Sequence, residues 1–173
     1  MQKIIRTCVV FIGCLLLPGI VGFITNMINS IISPEYFIKI MHWDTVQNIM
    51  QATIAQGIYQ GIIQGIFFTL LFTCVYIVSL KSDIDLRKTL LWISYMAVAT
   101  IGLWILGGLI AILLSVLSPE FYKKTFIGVP DDFGAMIRYA WVGGSIWGAT
   151  FGGMLVMIIG TILYRNNYKK KIL

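Results

Sequence analysis

Apolar residues run almost unbroken through four stretches of this chain, about 7–32, 52–80, 90–117 and 139–164, and charged residues collect between them. Each stretch reaches the roughly 20 residues that an α-helix needs to cross a hydrocarbon core. The pattern predicts an all-α polytopic membrane protein, a four-helix bundle of transmembrane helices. Pro18-Gly19 in the first stretch predicts an interruption or kink, because proline removes one backbone hydrogen bond and crowds the preceding turn.

Inside the second stretch glycine recurs every fourth residue, at Gly57, Gly61 and Gly65, and the fourth stretch repeats this at Gly144, Gly148 and Gly152. In a soluble helix each glycine costs about 1 kcal/mol against alanine. In lipid, where the hydrophobic drive for association is gone, a small-xxx-small ridge lets two backbones come close and gain van der Waals contact. These six residues are read as a glycine packing motif. The expectation is that the second and fourth helices meet through them, near a pseudo-twofold axis along the membrane normal.

The connections carry their own signals. Ser33-Pro34-Glu35-Tyr36-Phe37 and Ser118-Pro119-Glu120-Phe121-Tyr122 both predict a short helix, with serine at the cap, proline in the first turn and glutamate complementing the helix dipole. The first of these places Tyr36, Phe37, Ile40 and Met41 on one face, as an interfacial helix would. Asp44, with Gln47 three residues on, is expected to cap the second long helix, and Asp131 or Asp132 the fourth.

These features recur at near-constant spacing. Lys3 pairs with Lys88, Gly22 with Gly107 and the two Ser-Pro-Glu motifs with each other at 85 positions; Asp44 pairs with Asp131, and the glycines with each other, at 87. The chain is therefore expected to be one membrane domain, residues 1–173, holding an internal repeat: repeat 1 about 1–82 and repeat 2 about 86–167. The Ile32-Ser33-Pro34-Glu35-Tyr36-Phe37 loop, with the helix that follows, is similar to one in uncharacterised small bacterial integral membrane proteins. That resemblance implies a bacterial membrane protein and no activity.

Composition agrees with the pattern: 58% of residues are hydrophobic and 12% charged, against about 25% charged in soluble domains. The net charge of +6 raises the question of nucleic acid, but the basic residues flank the apolar stretches and form no patch of their own. The expected partners are the lipid bilayer and other membrane subunits or further copies of the chain, with no nucleic acid. Nine of the basic residues, Lys3, Arg6, Lys81, Arg87, Lys88, Arg165, Lys169, Lys170 and Lys171, lie at the termini and in the middle connection; Lys39, Lys123, Lys124 and Arg138 lie in the other two. The positive-inside rule then puts both termini in the cytoplasm; the long first apolar run, with no small-x-small site after it, predicts an uncleaved first helix, and the resemblance implies a bacterial inner membrane.

Few residues are candidates for chemistry. Gln56, Gln60 and Gln64 form a stripe beside the glycines, and amides at that depth must face other helices or water. They read first as interhelical hydrogen-bonding groups and second as the lining of a polar path. Their counterparts in the fourth helix are Trp147 and Phe151 for Gln60 and Gln64, so such a lining would be one-sided. Asn26 and Asn29 read first as caps of the first helix and second as groups that bind a neighbour. His42 has neither a nucleophile nor a second ligand beside it, and Cys8, Cys14 and Cys74 have no partner at ligand spacing, so no catalytic, metal or cofactor site is expected. No Asp, Glu, Lys, Arg or His lies well inside a stretch, which argues against a proton-coupled pump. The expected function is a non-enzymatic structural or accessory subunit of a membrane assembly. The alternative is a small uncoupled channel or carrier with a polar path along the second helix, and the least favoured is an interfacial enzyme built around His42.

Overall fold

The computed structural model describes residues 2–79 and 85–169, and these are helical with short connections. The helices are α1 (Gln2–Ile32), α2 (Pro34–Met41), α3 (Ile49–Ser79), α4 (Leu86–Leu117), α5 (Pro119–Thr125), α6 (Phe133–Trp147) and α7 (Gly153–Lys169); a π turn, Gly148–Gly152, joins the last two into one span. Four spans are long and apolar enough to cross a membrane, and the protein is an all-α, multi-pass membrane protein. Each begins a few residues before its apolar stretch because polar caps and helix formers extend the first turn. Lys81, Lys170 and Lys171 lie outside the described residues.

The caps differ from expectation in an instructive way. Asp132 does cap α6, accepting from the Ala135 amide at 2.7 Å, and Asp131 pairs with Lys123 at 3.4 Å. For α3, however, the cap is Asn48, whose Oδ1 accepts from the Gln51 amide at 3.0 Å, while Asp44 sits in the preceding turn. Asp85 caps α4 through the Arg87 amide. Ser33 and Ser118 hold the cap positions of α2 and α5 without a side-chain bond, each followed by proline in the first turn, where its missing N–H is one that no helix bond needs. Helix α1 runs through Pro18 as one continuous helix.

The glycine ridges do not face each other. A Cβ on Gly57 would strike the Gly22 carbonyl, one on Gly61 the Pro18 carbonyl and one on Gly65 the Leu15 carbonyl, so the first ridge lies on α1. In the same way Gly144 lies against the Gly107 carbonyl, Gly148 against that of Leu103, and Gly152 against the Leu103 side chain, all on α4. Each span packs on the antiparallel span that precedes it, and it is there that missing side chains allow backbone contact. The units are two hairpins: hairpin one is α1 with α3, and hairpin two is α4 with α6, the π turn and α7.

The hairpins then stack with α1 beside α4 and α3 beside α7. A twofold axis would bring equivalent faces together. Instead Gln60 and Gln64 of hairpin one line the junction, whereas Trp147 and Phe151 stack on each other and are 60% and 54% exposed on the far side of hairpin two. The front of hairpin one meets the back of hairpin two.

Two buried clusters hold the stack. At the end bearing the termini, Val10, Cys14, Phe72, Ile93 and Tyr164 pack together, with Phe72 and Tyr164 rings 4.8 Å apart. Tyr164 Oη lies 2.9 Å from Thr89 Oγ1, and Trp92 Nε1 donates to the Gly160 carbonyl at 3.0 Å. At the other end Tyr36 and Phe37 of α2 pack on Tyr139 and Val142 of α6. Gly128 there has φ +73°, and a Cβ on it would sit 2.9 Å from Lys39 Cβ, so this turn requires glycine twice over. Burial pushes the hydroxyl of Tyr122 in α5 up to about 12, with the nearby Tyr36 adding to it, and burial likewise raises Tyr36.

Candidate functional site

A cavity of about 60 Å³ lies where the two hairpins meet, several times the roughly 10–15 Å³ that one water needs. Its wall takes Asn26 and Asn29 from α1, Gln60 and Gln64 from α3, Thr100 and Trp104 from α4, and Thr150 from the π turn. On α1 and α3 the lining reaches from about the middle of each span towards the end that carries α2, and on α4 from the middle towards the helix start at the other end. No residue in the lining is charged.

The backbone around this cavity departs from regular helix on two sides. Pro18 lines it from α1, and having no N–H leaves one carbonyl of the preceding turn without its helical donor. Ala149 and Thr150 line it from the π turn, where the ladder bonds i to i+5 and spends one residue more per turn. The sequence carries that extra residue. The glycines of α3 and the last span match at 87 positions, but Thr73 and Tyr76 match Thr161 and Tyr164 at 88.

Asn26 and Asn29 do not cap α1. They lie inside the helix, both buried. Asn26 Nδ2 donates to the Thr53 carbonyl of α3 at 3.1 Å, and Ser145 Oγ of α6 donates to Asn29 Oδ1 at 3.1 Å, so Asn29 ties the two hairpins together. Asn29 Nδ2 and Trp104 Nε1 have no hydrogen-bond partner among the described residues, and both side chains line the cavity. Buried donors of this kind cost about 1–3 kcal/mol when unpaired, and a cavity that admits water or a solute with acceptor atoms removes that cost.

The glutamine stripe divides. Gln60 and Gln64 line the cavity, and Gln64 Oε1 lies 3.9 Å from where a Cβ on Gly153 would be. Gln56, one turn nearer the loop, turns away and places Nε2 3.5 Å from Met41 Sδ of α2. His42 is exposed and ends α2 with φ 55°. Among the described residues no group of three His, Cys, Asp or Glu side chains comes together.

Thr100, Trp104 and Thr150 escaped the sequence reading. Trp104 had a signal, an indole N–H midway along an apolar stretch; the threonines had none, since a hydroxyl can bond back to its own helix, as Thr100 does to the Met96 carbonyl at 3.0 Å. Comparison with family models, curated proteins and solved structures finds no match to this chain.

Proposed function

We propose that this protein is a small uncoupled channel or carrier for uncharged polar solutes, placed in a bacterial inner membrane with both termini cytoplasmic. The observation that carries the reading is the cavity between the hairpins, with amides, hydroxyls and an indole N–H in its wall and no charge. Midplane sites bordered by irregular helices are a recurring feature of membrane transporters. The π turn in the last span supplies such irregular backbone here, and Pro18 in the continuous α1 frees one carbonyl from its helical donor. An ion would leave its hydration shell with no countercharge to meet it, whereas hydroxyl and amide solutes can exchange water for Gln60, Gln64 and Asn29. Uncoupled transport fits the neutral lining, since proton relays use ionisable groups.

The test is solute-driven swelling of proteoliposomes with glycerol and urea, read by light scattering. Swelling faster than in empty vesicles, and slowed by Gln60→Leu, is the expected result. Swelling no faster than empty vesicles removes the reading, and a stoichiometric second protein on gentle purification would then make the chain an accessory subunit.

A further inference from the structure

Front-to-back stacking leaves two faces over. In hairpin one, Val10, Cys14 and Val21 are buried against hairpin two; 85 positions on, Tyr95, Ala99 and Leu106 form the same face of hairpin two and are exposed. Conversely, Ile93 and Met96 are buried against hairpin one, while Cys8 and Phe11, 85 positions before them, are exposed. The loop helices follow suit: Tyr36 of α2 reaches across to Tyr139 and is 8% exposed, but its counterpart Phe121 in α5 is 52% exposed.

Both leftover faces suit a protein neighbour better than lipid. Tyr59, on the back of hairpin one, is 67% exposed and ten residues into α3; Tyr95, on the front of hairpin two, is 65% exposed and nine into α4. At 1.5 Å per residue the Cα of each lies roughly 14–15 Å from its helix start, with the side chain leaning back along the helix, and a phenol hydroxyl that meets lipid there without a partner is costly. Gly102, in the middle of α4, faces open space with nothing within 4 Å of a Cβ placed there. It is a notch of the kind that close-packed membrane helices use.

We infer that a second copy of this chain docks the exposed back of its hairpin one on the exposed front of hairpin two, repeating between chains the contact that already joins the hairpins within one. Such a head-to-tail contact is heterologous, so it generates closed rings or rows in the membrane and not simple twofold dimers. The docking is independent of what the cavity carries.

Disulfide trapping tests it. Asn29 and Ser145 bridge the hairpins within the chain; 85 positions on from one and 87 back from the other stand Leu114 and Ile58, 36% and 37% exposed on opposite sides of the molecule. A chain with its native cysteines replaced by alanine and carrying both Leu114→Cys and Ile58→Cys is oxidised in membranes. Asn29→Cys with Ser145→Cys is the control that closes within one chain. The expected result is a ladder at multiples of 19.4 kDa from the double variant, absent from each single variant. A double variant that stays at 19.4 kDa while the control closes overturns the docking. So does a dimer from Ile58→Cys alone, which marks a twofold contact. Native mass spectrometry of the unaltered chain, released from lipid nanodiscs, must show more than one copy; a lone monomer there also overturns it.

Discussion

Hairpins one and two share a glycine seam and differ in what they show their surroundings. In both, the returning span lies on its partner through three glycines, and Gly22 with Gly57 is reproduced by Gly107 with Gly144. The front faces then part company: hairpin one presents Gln60 and Gln64 to its neighbour, and hairpin two presents Trp147 and Phe151 to its surroundings. The seam is a requirement of the hairpin itself, whatever lies outside it. The front face answers to what covers it, and the one that meets a hairpin of the same chain carries amides.

The seam gives the largest expected effect. Gly61→Leu or Gly148→Leu drives a side chain into a backbone carbonyl of the paired helix and is expected to cost about 3 kcal/mol, in either hairpin alike. Gly102→Leu, with nothing near it, is expected to leave the monomer's stability equal to wild type or above it, since leucine is the better helix former. Thermal unfolding in detergent measures all three. A Gly148 variant as stable as the Gly102 variant would break the parallel between the seams.

The front faces give the next effect. Gln64→Leu is expected to slow solute flux roughly tenfold, about 1.4 kcal/mol on the barrier, and Phe151→Leu to leave it unchanged. Equal losses from both would mean that the two faces serve one path, and the contrast between hairpins would fail.

The smallest effect concerns the loop helices. Phe37 of α2 and Tyr122 of α5 are counterparts, and both are buried, but only the second can ionise. Because the folded state holds the Tyr122 hydroxyl near 12 against an ordinary value of 10, the neutral form is favoured in the fold. Its contribution is complete below pH 10 and is lost as the pH rises through 12. Phenolate absorbance and melting temperature, followed together over that window, should show Tyr122→Phe losing less stability than wild type. Tyr36 keeps the variant from being wholly insensitive, since burial raises it too.

Much of this architecture could be read from residues alone: the four spans, the two loop helices, and Asp132 as a cap. The pairing of the ridges could not be read from glycine spacing, which says that a backbone comes close but not which one. The structure supplies the answer: each ridge lies on the span that precedes it in the chain, α3 on α1 and the last span on α4. Asn26 and Asn29 resemble caps because the apolar run fades near them, yet the helix continues to Ile32 and turns both amides inward. The π turn was legible only as one extra position, the step from 87 to 88 between the glycines and the Thr-x-x-Tyr pairs. Gln60 and Gln64 could be named from their period. Their opposite wall could not, because it comes from the side of hairpin two that has no counterpart of theirs.

The neutrality of that wall has an electrical consequence. A membrane potential does about 2.3 kcal/mol of work per elementary charge moved through 100 mV, and in a chamber with no charged side chain, carrying a solute with no charge, it has nothing to move. On the function proposed above, traffic through such a chamber would follow only the difference in concentration across the membrane, running at the same rate in an energised cell as in a depolarised one and reversing when the gradient does.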